Sequence, residues 1–227
     1  MDTPEISDLR IDYPATTLRE LAVERLRKAI FSGHFPSGAR LVERTLCDQL
    51  GVSRSVIREA IRVLEAEGLV ETRPRTGPVI ATLDWPVAEQ IYRIRALLEA
   101  DAAAACARSA TPELIAELTT ALDELRCAYD SAEPQSLLDA TTRFYEVIFR
   151  SAGQQVAWEI VQRLNGRISR LRAITLGATG RRISGYAHIL GIFQAISDRD
   201  PVAAGTAVCD HLHDAAEIAR QALEQIT

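Results

Sequence analysis

Residues 43–77 are ERTLCDQLGVSRSVIREAIRVLEAEGLVETRPRTG, and this stretch decides the fold of the N-terminal region. Its apolar spacing predicts a short helix over 43–50, a tight turn and a longer second helix. Gly51 permits a positive φ in the turn, and Ser53 is a suitable N-cap for the second helix. Gly68 ends that helix. Two helices around a short turn are typical of a helix-turn-helix.

Two short apolar-polar segments follow the second helix and predict a pair of strands. The predicted strands are Val70–Arg73 and Val79–Thr82, and the predicted turn contains Pro74, Thr76, Gly77 and Pro78. A two-stranded wing after a helix-turn-helix favours a DNA-binding module, in which the second helix enters the major groove.

The second helix carries a cationic stripe. Arg54, Arg58 and Arg62 are spaced by four residues, so they share one face, with Ile57, Ile61 and Leu64 on the other side. Arginine suits base recognition because its planar fork can pair with both acceptors of guanine. The alternative interpretation is a solvated face on which Glu59 and Glu65 pair with the arginines.

The charge distribution qualifies the DNA-binding prediction. The net charge is −5. Residues 1–83 hold 12 Lys+Arg and 12 Asp+Glu, which leaves 26 − 12 = 14 basic and 31 − 12 = 19 acidic residues for the remainder. A neutral module lacks a diffuse basic field, so we expect modest non-specific affinity for DNA.

The fold class expected from these patterns is mainly α, with two domains. Residues 1–15 are expected to form a flexible arm, 16–83 a winged helix-turn-helix, 84–86 a linker, and 87–227 an all-helical effector-binding and dimerisation domain. Amphipathic segments separated by proline and glycine predict an antiparallel bundle of about six helices in the last part.

Cellular location and cysteine chemistry are constrained by what the sequence lacks. It contains no apolar run long enough to span a membrane and no secretory signal at the N-terminus, so the cytoplasm is expected. The four cysteines are far apart, without a CxxC pair, and are expected to be buried, reduced thiols.

The sequence from Leu41 to Gly77 resembles the winged helix-turn-helix of GntR-type bacterial transcription regulators. The resemblance extends from about Leu18 to Thr82, although the family usually has proline where Val56 stands. It implies that Arg44 holds a phosphate or a groove edge, that Arg54 and Arg58 bind guanines, and that the backbone at Gly77 in the wing approaches the minor groove. With the rest of the cationic stripe, the predicted DNA-binding residues are Arg44, Arg54, Ser55, Arg58, Arg62, Thr76 and Gly77.

The segment IYRIRALLEADAAAACA, residues 91–107, resembles the first helix of the C-terminal domain of the FadR branch, the FCD domain. This resemblance implies a small-molecule effector, which such domains often bind through a metal held by one aspartate and three histidines. Here Thr141, Tyr145 and Ile189 stand where three of these ligands are expected, and only His211 is intact. We therefore expect no cofactor and no tightly held metal.

A rearranged metal site remains an alternative, with Asp139, His188 and His211 as ligands and His213 close by. Placing His188 beside His211 would require a helix rotation of about 100°, the angle that one residue subtends.

An arginine is the natural substitute for a metal in gripping an organic anion. Arg95 is the first candidate, and Arg143, Arg167 and Arg170 are further ones. A largely apolar effector is the other possibility. The predicted effector-binding residues are Arg95, Thr141, Tyr145, Ile189 and His211.

The expected function is a ligand-responsive homodimeric regulator, a repressor released from a palindromic double-stranded DNA operator by its effector. The alternative is a DNA-binding dimer whose helical domain only oligomerises and has no pocket. An enzyme is not expected, because no nucleophile–base pair, phosphate-binding glycine loop or HExxH motif occurs.

Overall fold

A computed structural model describes residues 17–31, 33–82, 84–131, 133–168, 171–172 and 179–226. The predicted N-terminal arm lies outside these residues. The helices and strands are α1 Leu18–Phe31, α2 Glu43–Leu50, α3 Arg54–Ala66, β1 Val70–Arg73, β2 Gly77–Ile80, α4 Trp85–Arg108, α5 Pro112–Ser131, α6 Pro134–Ser151, α7 Gln155–Arg167, α8 Thr179–Ser197 and α9 Pro201–Ile226. The mainly α fold class, with a small wing, is confirmed.

The helix-turn-helix forms as the local signals indicate. Gly51 adopts a left-handed conformation at φ 66° and its amide donates to the Cys47 carbonyl, which closes α2. The Ser53 hydroxyl accepts a hydrogen bond from the Val56 amide at 3.4 Å and caps α3. The inward face of α3 packs against α1 through Ile57 and Leu64, which are fully buried. Burial of this face fixes the direction in which the opposite, cationic face points.

The wing is a two-stranded antiparallel sheet whose second strand differs from the prediction. β2 begins at Gly77, not at Val79, because Gly77 pairs with Arg73 and leaves only residues 74–76 as the turn. Pro78 has no amide hydrogen to donate, but its carbonyl accepts from the Leu41 amide at 2.9 Å. The segment before α2 therefore pairs with the outer edge of the wing and holds it against the helices.

The C-terminal region consists of helices α4 to α9. Asp84 caps α4 by accepting from the Val87 amide at 3.1 Å, so Trp85 and Pro86, predicted as linker, form the first helical turn. The long helices α4 and α9 pack along each other, and α8 covers both. Within the described residues no helix is long and apolar enough to cross a membrane. The expectation of four buried cysteines is wrong for Cys127 on α5 and Cys209 on α9, which are exposed.

Candidate DNA-binding and effector sites

The N-terminal end of α3 presents the predicted base-contacting residues. Arg54 and Ser55 lie in its first turn, and both are exposed. The Ser55 hydroxyl lies 2.8 Å from that of Ser53. Within the described part of the chain Arg54 has no ion pair, so its guanidinium can turn toward a ligand. Phosphates and base edges are reached from such a helix start.

The other two arginines of the stripe are held by glutamates in this DNA-free structure. Arg58 donates from Nε to both carboxylate oxygens of Glu43 at 3.0 Å, and this hydrogen-bonded ion pair raises the pKa of Arg58. Arg62 pairs with Glu59 at 2.8 Å. The expected pairing of Glu65 with an arginine is wrong, since Glu65 accepts from the Thr72 amide of the wing. Arg58 must exchange Glu43 for DNA if it binds a guanine.

The wing tip adds a cation that the sequence patterns did not single out. Arg75 is exposed and has a left-handed backbone at φ 67°, next to the exposed Thr76. Gly77 follows with φ 83° and leaves open space where a side chain would lie. Arg44, at the start of α2, is also exposed. The Pro74–Gly77 turn was the available signal for Arg75, because a turn residue at a wing tip projects outward.

The interior of the helical domain contains a buried charge cluster, formed by Arg95, Glu99, Tyr145 and Arg172. Arg95 donates to Glu99 at 2.7 and 3.3 Å, and their side chains are 3% and 0% exposed. The Arg95 prediction is therefore corrected in one respect: its charge is already balanced within α4. Arg172, which the sequence patterns missed, is also buried.

The charges of these groups act on one another. Burial and, to a smaller extent, the charge of Arg95 lower the pKa of Arg172 to about 10, although Glu99 and the two tyrosines Tyr92 and Tyr145 oppose the shift. Burial and the adjacent Glu99 raise the pKa of Tyr145 well above its usual value. The cluster thus holds two guanidinium groups, one carboxylate and a protonated phenol, all of them buried.

The remaining predicted effector residues are buried but differ in chemistry. Thr141 donates to the Leu137 carbonyl within α6 at 2.7 Å, so its hydroxyl is occupied by the helix. Ile189 and His211 are buried on α8 and α9. Of the further cation candidates, Arg143 is an exposed partner of Glu124, Arg167 is exposed, and Arg170 lies outside the described residues.

The rearranged metal set is not brought together. The rings of His188 and His211 lie 5.8 Å apart, so the argument that a helix rotation is needed to make them neighbours is wrong. His188 faces Asp214 at 3.8 Å, whereas Asp139 is exposed and accepts from Gln135. In the part of the chain that the structure describes, no group of three or more His, Cys, Asp or Glu could hold a metal ion.

Comparison with known proteins matches both regions. Residues 18–80 match the family described as bacterial regulatory proteins, gntR family, and residues 90–214 match the FCD domain. The chain is a GntR-family regulator with an FCD domain. It is therefore a DNA-binding transcription regulator that carries an effector-binding domain.

Similar proteins span nearly the whole chain. The HTH-type transcriptional regulator YdhC of Bacillus subtilis is 27% identical over 97% of this chain and 98% of its own length. The HTH-type transcriptional repressor RspR of Escherichia coli is 24% identical over 92% of the chain and 91% of its length. The fold also matches the solved structure of E. coli McbR/YncC, with a TM-score of 0.72 and 21% identity over 92% of this chain and 99% of that one.

Proposed function

We propose that this GntR-family regulator belongs to the FadR branch and acts in the cytoplasm as a homodimeric repressor. In this proposal a small organic anion releases it from a palindromic operator. The observation that carries the proposal is the outer face of α3, where Arg54, Arg58 and Arg62 project beside the wing. The α3 face of one DNA-binding domain contacts too few base pairs for useful specificity. The DNA-binding domains of two subunits, here called the two heads, must therefore act together.

An apolar surface supports dimerisation. Ile94 and Leu97 on α4, with Val156 and Ile160 on α7, form what we name the α4–α7 face. Leu97 is 70% exposed and Val156 is 72% exposed. The two helices adjoin there, since Gln154 donates to Asp101 at 2.7 Å. Monomeric proteins rarely expose such adjoining large apolar side chains, and a two-helix face can pack against its own copy around a two-fold axis.

The buried cluster supports effector binding. A buried ion pair contributes little net stability compared with apolar residues of the same volume, so retaining Arg95, Glu99 and Arg172 in the core suggests a role beyond folding. In this proposal an organic anion pairs with Arg172 and accepts a hydrogen bond from Tyr145, and the buried Thr141, Ile189 and His211 are the other proposed contacts. Arg95 would then orient Glu99, and its positive charge would help to stabilise the bound anion.

The alternative, in which the helical domain only dimerises, is favoured by one observation. Arg95 and Glu99 satisfy each other with two hydrogen bonds and do not require a ligand. Native mass spectrometry of gently purified protein separates the two functions. A bound small anion that is lost in an Arg172→Met variant supports the effector. Protein that carries no ligand, and that no tested metabolite extract releases from its operator, favours the alternative.

Selection of bound duplexes from a random DNA library tests the DNA-binding part. We expect an inverted repeat, and we expect Leu97→Asp to convert the dimer to a monomer that binds the repeat at least about tenfold more weakly. Leu18→Asp is the matched control, because Leu18 is a similarly exposed leucine, 61% exposed, on α1. Selection of a non-repeated sequence by a monomeric wild-type protein would refute the dimer.

A further inference from the structure

The two domains approach each other backbone to backbone at a place that we name the interdomain joint: Glu67 and Gly68 after α3, and Gly166 and Arg167 at the end of α7. A Cβ atom on Gly166 would overlap the carbonyl oxygen of Glu67. A Cβ atom on Gly68 would lie 2.8 Å from the backbone nitrogen of Arg167. The close approach therefore depends on the absence of side chains at both glycines.

Charge pairs surround the joint without explaining it. Arg27 of α1 pairs with Glu67 through two hydrogen bonds, at 3.0 and 2.5 Å, and this partly buried pair fixes the residue whose carbonyl faces Gly166. Lys28 approaches Glu133 of the helical domain at 3.7 Å, but both side chains are more than half exposed. Exposed pairs contribute little. The contacts left to fix the docking are the glycine contact and Phe31 of α1, which packs against the cores of both domains.

A cleft of about 760 Å³ opens beside the joint, between α1 and α3 on one side and α6 and α7 on the other. Its walls include Glu67, Gly166 and Arg172. Arg172 also belongs to the buried charge cluster with Arg95 and Glu99. A single side chain thus touches both the candidate effector cluster and the cleft between the domains.

We propose that the interdomain joint fixes the orientation of the DNA-binding domain on the helical domain, and that Arg172 couples the buried charge cluster to this docking. The second half rests on the proposed effector function, whereas the first half does not. A shift of Arg172 toward an anion in the cluster would change the wall of the cleft that faces Glu67. Docking at the joint would change with it.

Fixed docking has a direct consequence for operator binding. In a dimer, two docked heads present their α3 helices at one spacing, which a palindrome with one half-site spacing matches. Heads that are released from the joint lose orientational freedom when the dimer binds both half-sites. The effective concentration of the second head at its half-site therefore falls. Contact with a single half-site does not depend on that spacing.

Gly166→Ala tests the joint, and Gly191→Ala is its matched control. Both glycines lie within helices, where alanine is favoured over glycine, but a Cβ on Gly191 meets nothing within 4 Å. Hydrogen exchange of the free proteins needs neither DNA nor effector. We expect amide exchange of residues 64–69 to rise about tenfold in Gly166→Ala and to stay unchanged in Gly191→Ala. Equal exchange in both folded variants would overturn the joint.

Operator binding gives the second readout. For Gly166→Ala we expect about tenfold weaker binding to the selected inverted repeat and unchanged binding to a duplex with one half of it. Equal loss on both duplexes would overturn the spacing argument, because it would indicate damage to the head itself. If Gly166→Ala fails to fold, Arg27→Ala replaces it, since that variant releases Glu67 while leaving α7 intact. If the protein selects no inverted repeat from the random library, that result counts against the proposed function. Amide exchange at residues 64–69 still tests the interdomain joint in that case.

Arg172→Met tests the coupling, with Arg143→Met as its control. Arg143 is 65% exposed and pairs with Glu124 on the surface of the same domain. We expect Arg172→Met, and not Arg143→Met, to alter exchange at residues 64–69 by about threefold or more, although the substitution lies in the other domain. Unaltered exchange there in a folded Arg172→Met protein would overturn the role of Arg172 and leave the joint standing.

Discussion

Replacing either partner of the buried Arg95–Glu99 pair should destabilise the helical domain, and by unequal amounts. The side chains are 3% and 0% exposed, and Arg172 is buried beside them. Glu99→Leu removes the carboxylate that pairs with Arg95 and that also offsets the charge of Arg95 on Arg172. Removing one partner of a buried pair costs about 3–5 kcal/mol, and here the repulsion between the guanidinium groups adds to the desolvation. We expect Glu99→Leu to reach the upper part of that range.

Arg95→Met should cost less. Glu99 would then keep Arg172 as a neighbouring counter-charge, and methionine fills most of the vacated volume. We expect about 1–2 kcal/mol, because one cation still balances one anion. The difference between the two variants, about 2–4 kcal/mol, measures the contribution of Arg172 to the electrostatics of the cluster.

Urea denaturation followed by circular dichroism at pH 7 supplies the measurement. With a slope of about 2 kcal/mol per molar urea, a loss of 4 kcal/mol lowers the midpoint by about 2 M. Glu124→Gln, which breaks the exposed Arg143–Glu124 pair, is the control and should change stability by about 0–1 kcal/mol. An equal loss in the free energy of unfolding for Glu99→Leu and Arg95→Met would refute the reasoning. Arg172 would then have no electrostatic interaction with the Arg95–Glu99 pair. A cost for Glu99→Leu as small as the control would show that water reaches the cluster.

The remaining predictions concern DNA binding and alkaline stability. Arg54→Ala should weaken operator binding about 10- to 100-fold and relax the preference for one base per half-site, as measured by competition with substituted duplexes; uniform loss on every sequence would contradict base contact. Arg44→Ala should instead weaken all duplexes alike and lower the salt slope by about one per head in binding titrations. Arg75→Gly should leave thermal stability equal or slightly higher, since it relieves a left-handed arginine, yet weaken operator binding; stability loss would contradict the strain argument. The pKa of Tyr145 is raised, so the stability that depends on its protonated form is present below pH 10 and lost as the pH rises above it; Tyr145→Phe should flatten denaturation midpoints measured from pH 9 to 11.5.

Local signals predicted the helix-turn-helix because each one has a local physical cause. The positive φ of Gly51 and the cap from Ser53 need only neighbouring residues to form. The start of β2 was mispredicted for the opposite reason. Gly77 and Pro78 favour turns by composition, but pairing with β1 and with the Leu41 amide extends the strand over them. Tertiary hydrogen bonds overrode intrinsic preference at that point.

The candidate effector site was harder to predict, because burial was not visible in the sequence. Arg95 and Glu99 are four residues apart, a spacing that also occurs in exposed pairs on helix surfaces. The alanine-rich sequence of α4 is apolar on several faces, so it does not show which face is inward. Arg172 gave no signal at all, since its proximity to the cluster arises from chain folding between helices. The sequence does not show that His188 and His211 are adjacent, because their distance depends on how α8 packs against α9. The angle between residues 188 and 189 within α8 carries no information on that packing.

The magnitudes involved are compatible with regulation through the interdomain joint. A tenfold change in operator affinity corresponds to about 1.4 kcal/mol, and coupling energies between distant sites are typically about 1–3 kcal/mol. A new ion pair between a ligand anion and the buried Arg172 can supply free energy of that order, since hydrogen bonds to charged groups contribute about 1.5–3 kcal/mol. The glycine contact can convert such a small change into altered docking because it leaves no room for a methyl group between the two backbones. Neither backbone can move closer to the other at this point. A ligand bound equally well by docked and undocked forms would shift nothing, so the effector must bind the two forms with different affinities.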